Sequence, residues 1–198
     1  MKRSWRALFA LGVTFVAVSA CGGEGGSGLP QEGVIRLSDQ FSADFALVDQ
    51  NGRLTRDEDF KGKVAIVYFG FATCPDVCPL ALGRLSAALN ELSEQEREKV
   101  APIFITVDPD RDTPEALRTY LAFDPRIIGL TGDRGAIEQA KAGFKVYAEP
   151  QNLPDSAVGY TMNHSSLFYL MDRKGGLPYA LEDTLAPDQI AAAIRSIL

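Results

Sequence analysis

Imidazole and thiol are both scarce in this chain. Its 198 residues include one histidine, His164, and three cysteines, Cys21, Cys74 and Cys78. A single histidine excludes the paired histidines of a zinc-protease helix. A glycine-rich phosphate loop and a Gly-x-Ser-x-Gly elbow are also missing, so neither a nucleotide cradle nor a hydrolase serine is presented. No basic stripe with interleaved aromatics occurs, which argues against a nucleic-acid partner. No internal repeat is visible. Basic charge is in short supply: 20 Lys and Arg face 26 Asp and Glu, a formal charge of −6. Residues 1–20 carry Lys2, Arg3 and Arg6 and no acid, so without them 17 basic residues face 26 acids, or −9. This balance suits a soluble domain and a cationic partner surface.

What is present begins with an address. Lys2, Arg3 and Arg6 form a positive n-region, and Ala7 to Val18 forms an apolar stretch of secretory length. That stretch is short of the about 20 apolar residues a membrane span needs. Val18-Ser19-Ala20-Cys21 resembles a bacterial lipobox, which makes residues 1–20 a lipoprotein signal peptide and Cys21 the acylated N-terminus. Residues 21–35 then read as a flexible tether, because Gly22 to Gly28 is almost all glycine. A lipid on Cys21 would hold the domain, residues 36–198, to a membrane facing the periplasm or another extracytoplasmic space. Length allows one ordinary domain.

Within that domain, strand and helix signals alternate. Phe45 to Leu54 reads as a hairpin around Asn51-Gly52. Val64 to Phe71 and Ile103 to Val107 read as buried strands. Leu82, Leu85, Leu89 and Leu92 fall at helical spacing. Further helices are expected from Pro114 to about Ala122, over Arg134 to Ala142 and over Pro187 to Ile197, with strands at 127–130, 145–148, 166–171 and 177–180. The order predicts an α/β fold, a central mixed sheet with helices on both faces. A dithiol between an early strand and a long helix matches a thioredoxin-like fold.

The dithiol is Cys74-Pro75-Asp76-Val77-Cys78, followed by Pro79. Each proline biases the cysteine before it away from helical dihedrals. Residues 74–78 are therefore expected to be a loop, with Cys78 at the N-cap and Pro79 at the first helical position. Free N–H groups there would favour a thiolate at Cys78. The spacing accommodates a disulfide, with Cβ atoms about 3.5–4.5 Å apart. It equally accommodates two metal–sulfur bonds of roughly 2.3 Å. Once Cys21 is lipidated, one thiol pair remains in an oxidising compartment. A structural disulfide across so short a loop would add little stability.

His164 sits in Tyr160-Thr161-Met162-Asn163-His164-Ser165, read as a polar loop before a strand. It is either incidental or the third ligand of a site with Cys74 and Cys78. Two thiolates and an imidazole suit copper or zinc. Asp108-Pro109-Asp110-Arg111-Asp112-Thr113 has alternating acids, but lacks the Gly and Glu an EF-hand loop requires at its sixth and twelfth positions. It reads as a strand end and helix cap, with Thr113 or Asp112 as the capping residue and the spacing of Asp112 and Glu115 in support. Asp108 and Asp112 could also steady a nearby site. Met162 reads as a packing residue, as do Tyr68, Phe69 and Phe71.

Three motifs in order, Phe-Gly-Phe-Ala-Thr-Cys-Pro-Asp-Val-Cys-Pro at 69–79, Val-Asp-Pro-Asp-Arg-Asp-Thr-Pro-Glu at 107–115 and Asn-His-Ser at 163–165, resemble the Sco/SenC family. The resemblance spans roughly residues 40–198. It implies a membrane-tethered thioredoxin-like metallochaperone, more a carrier than an enzyme, that binds one copper, as Cu(I) or Cu(II), through Cys74, Cys78 and His164. It further implies assembly of the dinuclear copper A site of cytochrome c oxidase, by copper delivery, by reduction of target cysteines, or both. Partners would be the copper A-bearing subunit and another periplasmic copper chaperone or thiol reductant. The family's aspartates near the site map onto Asp76, Asp108 and Asp112. Asn163 departs from the pattern, since an aspartate usually precedes the histidine.

The rivals are distinct. A metal-independent thiol–disulfide oxidoreductase would cycle Cys74 and Cys78, although such proteins normally use C-x-x-C. A peroxidase is hinted at by Thr73 alone. A copper-responsive sensor or binding module would use the same ligands without an assembly role.

Overall fold

The computed structural model describes residues 28–198. The expected export segment, Cys21 and the tether up to residue 27 lie outside the described residues.

The centre of the molecule is β4 (Val64–Gly70), whose seven residues are all buried. A strand covered on both faces needs no polar alternation, which is why Val-Ala-Ile-Val-Tyr-Phe-Gly reads as one apolar run. It pairs in parallel with β5 (Val100–Thr106) and antiparallel with β9 (Leu167–Met171). Outward from β5 lie β6 (Ile128–Thr131), β2 (Ala46–Asp49) and β3 (Leu54–Arg56). Outward from β9 lie β10 (Tyr179–Glu182) and β1 (Val34–Arg36). The result is an eight-stranded mixed sheet. The expected hairpin around Asn51-Gly52 is β2–β3, with Gly52 at φ +80° in its turn. Pro102 is tolerated within β5 because the ladder to β6 begins only at Ile103, leaving that side unpaired.

Two corrections concern the ends of elements. β1 pairs with β10 from Val34 onward, so the folded domain starts inside the expected 21–35 tether. Lys145 adopts a left-handed conformation at φ 55° and ends a helix, so residues 145–147 are not strand; β7 (Ala148–Asn152) starts after it. Among the described residues β7 pairs only with β8 (Tyr160–His164), forming a separate two-stranded arm.

Helices cover both faces of the main sheet. Phe69 and Tyr169 meet Phe144 of α4 (Arg134–Phe144) on one side. On the other side, Tyr68 and Phe104 face α1 (Val77–Glu91) and α3 (Pro114–Tyr120), where Phe104 meets Tyr120. α5 (Pro187–Arg195) packs beside α1, and the short α2 (Glu94–Arg97) follows α1 in the chain. Leu82, Leu85 and Leu89 are the buried stripe of α1; burying each contributes about 1.5–3 kcal/mol. Among the described residues no helix is long and apolar enough to cross a membrane.

Candidate metal centre

Helix α1 starts earlier than its sequence suggests. Asp76, not Cys78, is its N-cap, and Cys78 and Pro79 lie in its first turn. The first four N–H groups of a helix have no intrahelical acceptor, so a proline anywhere in that turn costs no hydrogen bond. The Cys78 N–H instead points to the Cys74 sulfur, 3.5 Å away. Asp76 makes no side-chain cap hydrogen bond and lines a cleft of about 280 Å³ with Cys74, Met162 and His164.

Placement inside the helix changes the chemistry of Cys78. Its side chain is fully buried against Gly70, Phe104 and Tyr68, where an added Cβ on Gly70 would fall 2.9 Å from its sulfur. Burial pushes the thiol well above its ordinary value, and the neighbouring Cys74 adds to the rise. The expected thiolate is thus overruled: loss of hydration outweighs the helix dipole. Cys74 is half-buried, and both thiols are free.

His164 closes the other side. It is the last residue of β8, not a loop residue. Its Nε2 lies 3.6 Å from the Cys78 sulfur. Its Nδ1 lies 2.8 Å from the Ser165 carbonyl oxygen. A carbonyl only accepts, so Nδ1 carries the proton and donates it, and the Nε2 lone pair faces the sulfur. The ring is wedged edge-on between Phe71 and Tyr68, at 5.7 and 6.4 Å. Burial lowers its pKa, opposed by the Ser165 carbonyl and the Asp183 charge, so the neutral, ligand-competent imidazole is favoured.

The donor set fits a soft ion. A neutral imidazole nitrogen and a sulfur already face one another, and a second sulfur lies at the Cys78 N–H. Among the described residues no three His, Cys, Asp or Glu side chains are yet gathered as a closed cage. The Cys74 sulfur is turned towards that N–H.

The acids divide. Asp112 is buried and is not the helix cap; Thr113 caps α3, accepting from the Ala116 N–H at 3.2 Å. The Asp112 Oδ2 instead accepts from Thr106 Oγ1 at 2.6 Å and from the Ala72 N–H at 2.9 Å. The latter contact steadies the chain two residues before Cys74. Burial raises the Asp112 pKa against these bonds. Asp108, also buried, pairs with Arg111 and accepts from Tyr160 Oη at 2.7 Å. Met162 packs against the core as expected, and on the His164 side of β8, two residues away, it also lines the cleft.

Sequence reasoning missed a relay behind the imidazole. Ser166 Oγ donates to Asp183 at 2.6 Å, leaving it to accept from Tyr68 Oη at 2.8 Å. No sequence spacing links residues 68, 166 and 183. Only the adjacency of β4, β9 and β10 does.

With this geometry established, comparison with known proteins is specific. The SCO1/SenC family model matches residues 35–198. The chain is 40% identical over 159 residues to "Protein sco1" of Schizosaccharomyces pombe, an alignment covering 79% of this chain and 60% of that relative. The chain therefore matches only part of that relative's length. Among solved structures, copper-bound ScoI of Bradyrhizobium japonicum superposes with a TM-score of 0.73 at 38% identity, covering 80% of this chain and 99% of that one. BsSco, described as having a disulfide switch and as a member of the Sco family of cytochrome c oxidase assembly proteins, gives 0.63 at 25% identity, covering 82% and 96%. The mixed, helix-covered sheet is thus the thioredoxin-like fold of these Sco structures.

Proposed function

This chain belongs to the SCO1/SenC family, and we propose that it binds one copper through Cys74, Cys78 and His164 and serves assembly of the copper A site of cytochrome c oxidase. The observation that carries the proposal is the 3.6 Å approach of the His164 Nε2 lone pair to the Cys78 sulfur.

Two thiolates and one imidazole make a soft, low-coordinate site suited to Cu(I), and the imidazole extends it to Cu(II). Copper is the cargo, and this chain's residues supply the handle. Buried Cys78 keeps its proton until a cation arrives, so uptake releases protons and is favoured as pH rises. Cys74, less buried and borne on the loop, is the sulfur an acceptor reaches first. A three-ligand site leaves a position for an incoming thiolate of the copper A-bearing subunit, so copper can pass by ligand exchange. In this reading lipidated Cys21 and the glycine tether keep the domain at the membrane face of the exported compartment, within reach of that subunit. Asp76, exposed and lining the cleft, would meet the acceptor in this reading.

Anaerobic titration of the reduced protein with Cu(I), read by X-ray absorption, tests this. One copper per chain with two sulfurs and one nitrogen is expected. Cys74→Ala, Cys78→Ala and His164→Ala should each weaken binding severely; unchanged affinity in His164→Ala removes the imidazole from the site. Mass spectrometry of the mature N-terminus tests lipidation, and an unmodified terminus beyond Cys21 defeats it.

A second reading has an observation of its own. The two thiols are free and adjacent, with Cys74 partly accessible, and BsSco is described with a disulfide switch. Reduction of partner cysteines by this pair, another periplasmic thiol reductant restoring it, would accompany copper delivery. The buried, high-pKa Cys78 is a poor attacking thiol, so metal-free insulin reduction at thioredoxin-like rates would favour the oxidoreductase instead.

A further inference from the structure

His164 is carried on an arm that cannot hold itself in place. Among the described residues β7 and β8 pair only with each other, outside the eight-stranded sheet, and an isolated two-stranded hairpin is marginal in water. At its base the arm is tied by the Ser165 N–H to the Tyr147 carbonyl at 2.9 Å, and by Lys141 Nζ to the Ala148 carbonyl at 3.1 Å. The start of β8, about 13 Å from His164 at the usual strand rise of about 3.3 Å per residue, is held differently.

There the loop between β5 and α3 takes hold. The Arg111 guanidinium stacks over the Tyr160 ring at 3.8 Å, and its Nη1 donates to the Tyr160 carbonyl at 3.0 Å. Tyr160 Oη donates to Asp108, and the same carboxylate pairs with Arg111. Asp108 is anchored in turn: its N–H donates to Thr106 Oγ1 at 2.9 Å. Thr106 Oγ1 donates to Asp112, which accepts from Ala72 just before the cysteine loop. An unbroken chain of bonds therefore runs from the cysteine side to the histidine strand through one loop.

We propose that residues 107–113 are a positioning clamp, in which Arg111 and Asp108 grip Tyr160 and Asp112 grips Ala72, holding His164 in register with the two cysteines. The inference rests on the copper reading for its purpose, not for its geometry. Arg111 and Tyr160 are positioning residues; neither touches the ion. Releasing Tyr160 lets the arm populate positions in which the imidazole is off the sulfur. Apparent affinity falls by the fraction of molecules still aligned.

Tyr160→Phe removes only the phenolic hydroxyl and keeps the ring under Arg111. In the intact chain it should weaken Cu(I) binding by at most about tenfold, the limit set by losing a hydrogen bond to a charged group. It should also speed amide hydrogen exchange across residues 160–164 by about tenfold, with α5 unchanged. In a His164→Ala background Tyr160→Phe should cost no further copper affinity, since the clamp acts through the imidazole. Wild-type exchange and affinity in Tyr160→Phe overturn the clamp, as does a loss that persists undiminished without His164. If His164→Ala itself binds copper like wild type, the copper reading fails separately. The metal-free exchange experiment then still decides whether the clamp holds the arm.

Discussion

Gly70→Ala should disable the site by way of one methyl group. Gly70 ends β4 on the face shared with Tyr68. An added Cβ would lie 2.8 Å from Phe104 Cε2, 2.9 Å from the Cys78 sulfur and 3.1 Å from Tyr68 Cε1. Favourable carbon contacts sit at about 3.5–4.0 Å, so each neighbour must retreat by roughly half an ångström or more. None is free to do so. Phe104 is packed at a tilt between Tyr68 and Tyr120, Tyr68 is hydrogen-bonded to Ser166, and Cys78 is the buried residue of the first turn of α1. Overpacking of this kind costs about 1–3 kcal/mol. At about 2–4 °C per kcal/mol for a domain of this size, Tm should fall by about 2–12 °C. The sulfur is the neighbour whose displacement matters most, because it already lies opposite Nε2. Cu(I) affinity, read by competition with a chromophoric chelator, should therefore drop beyond what the lost stability explains. Gly83→Ala is the control. Gly83 lies on the exposed side of α1 with open space around its would-be Cβ, so the change should stabilise by about 0.5–1 kcal/mol and leave copper binding alone. An unchanged Tm and copper affinity in Gly70→Ala would refute the reasoning about how Cys78 is seated.

Other consequences follow from the electrostatics. Burial holds the His164 pKa below the ordinary value of 6.5, so below that pH the unfolded chain binds the proton and the fold does not. Apo stability is therefore full above about pH 6.5 and is lost as pH falls through the folded value; Tm measured from pH 5 to 7 should lose this component in His164→Gln. Asp183→Asn removes a charge that raises the His164 pKa, so the imidazole titration followed by NMR should move to lower pH. Burial pushes the Asp124 carboxyl up, but bonds from Arg126 and Ser86 hold it below the usual value. Its stabilisation is present above about pH 4 and disappears on acidification. Asp124→Asn should cost about 2 kcal/mol at pH 7, less than a fully buried pair because Arg126 is partly exposed. Denaturant curves of the two proteins should converge below pH 3.

Some of this protein was legible in its sequence. Val64 to Tyr68, the leucines of α1 and the Asn51-Gly52 turn declare themselves, because burial on both faces, helical periodicity and a positive φ are local demands on local residues. The motif trio carried the family, and with it the expectation that the cysteines pair with a histidine some ninety positions away, of which the structure shows the approach of His164 to Cys78. What failed was where local preference met packing. Two prolines suggested a helix starting at Pro79, yet the helix begins at Val77 because its first turn has N–H groups to spare. A cysteine at a helix start suggested a thiolate, yet enclosure by Gly70, Phe104 and Tyr68 makes Cys78 hold its proton. Of the two capping candidates, Thr113 caps α3, whereas Asp112 proved a buried strut to Ala72. The polar run around His164 looked like a loop and proved an arm.

The sequence by itself determined which donors exist, two sulfurs and one imidazole, and so the class of ion they suit. Only the tertiary structure decided that the Nε2 lone pair points at Cys78, that Cys74 is half-buried where Cys78 is enclosed, and that Arg111 grips Tyr160 at the far end of the histidine strand. The reason is physical: ligand type is a property of a side chain, whereas lone-pair direction, protonation and register are properties of what surrounds it. Those surroundings are assembled from strands distant in the chain.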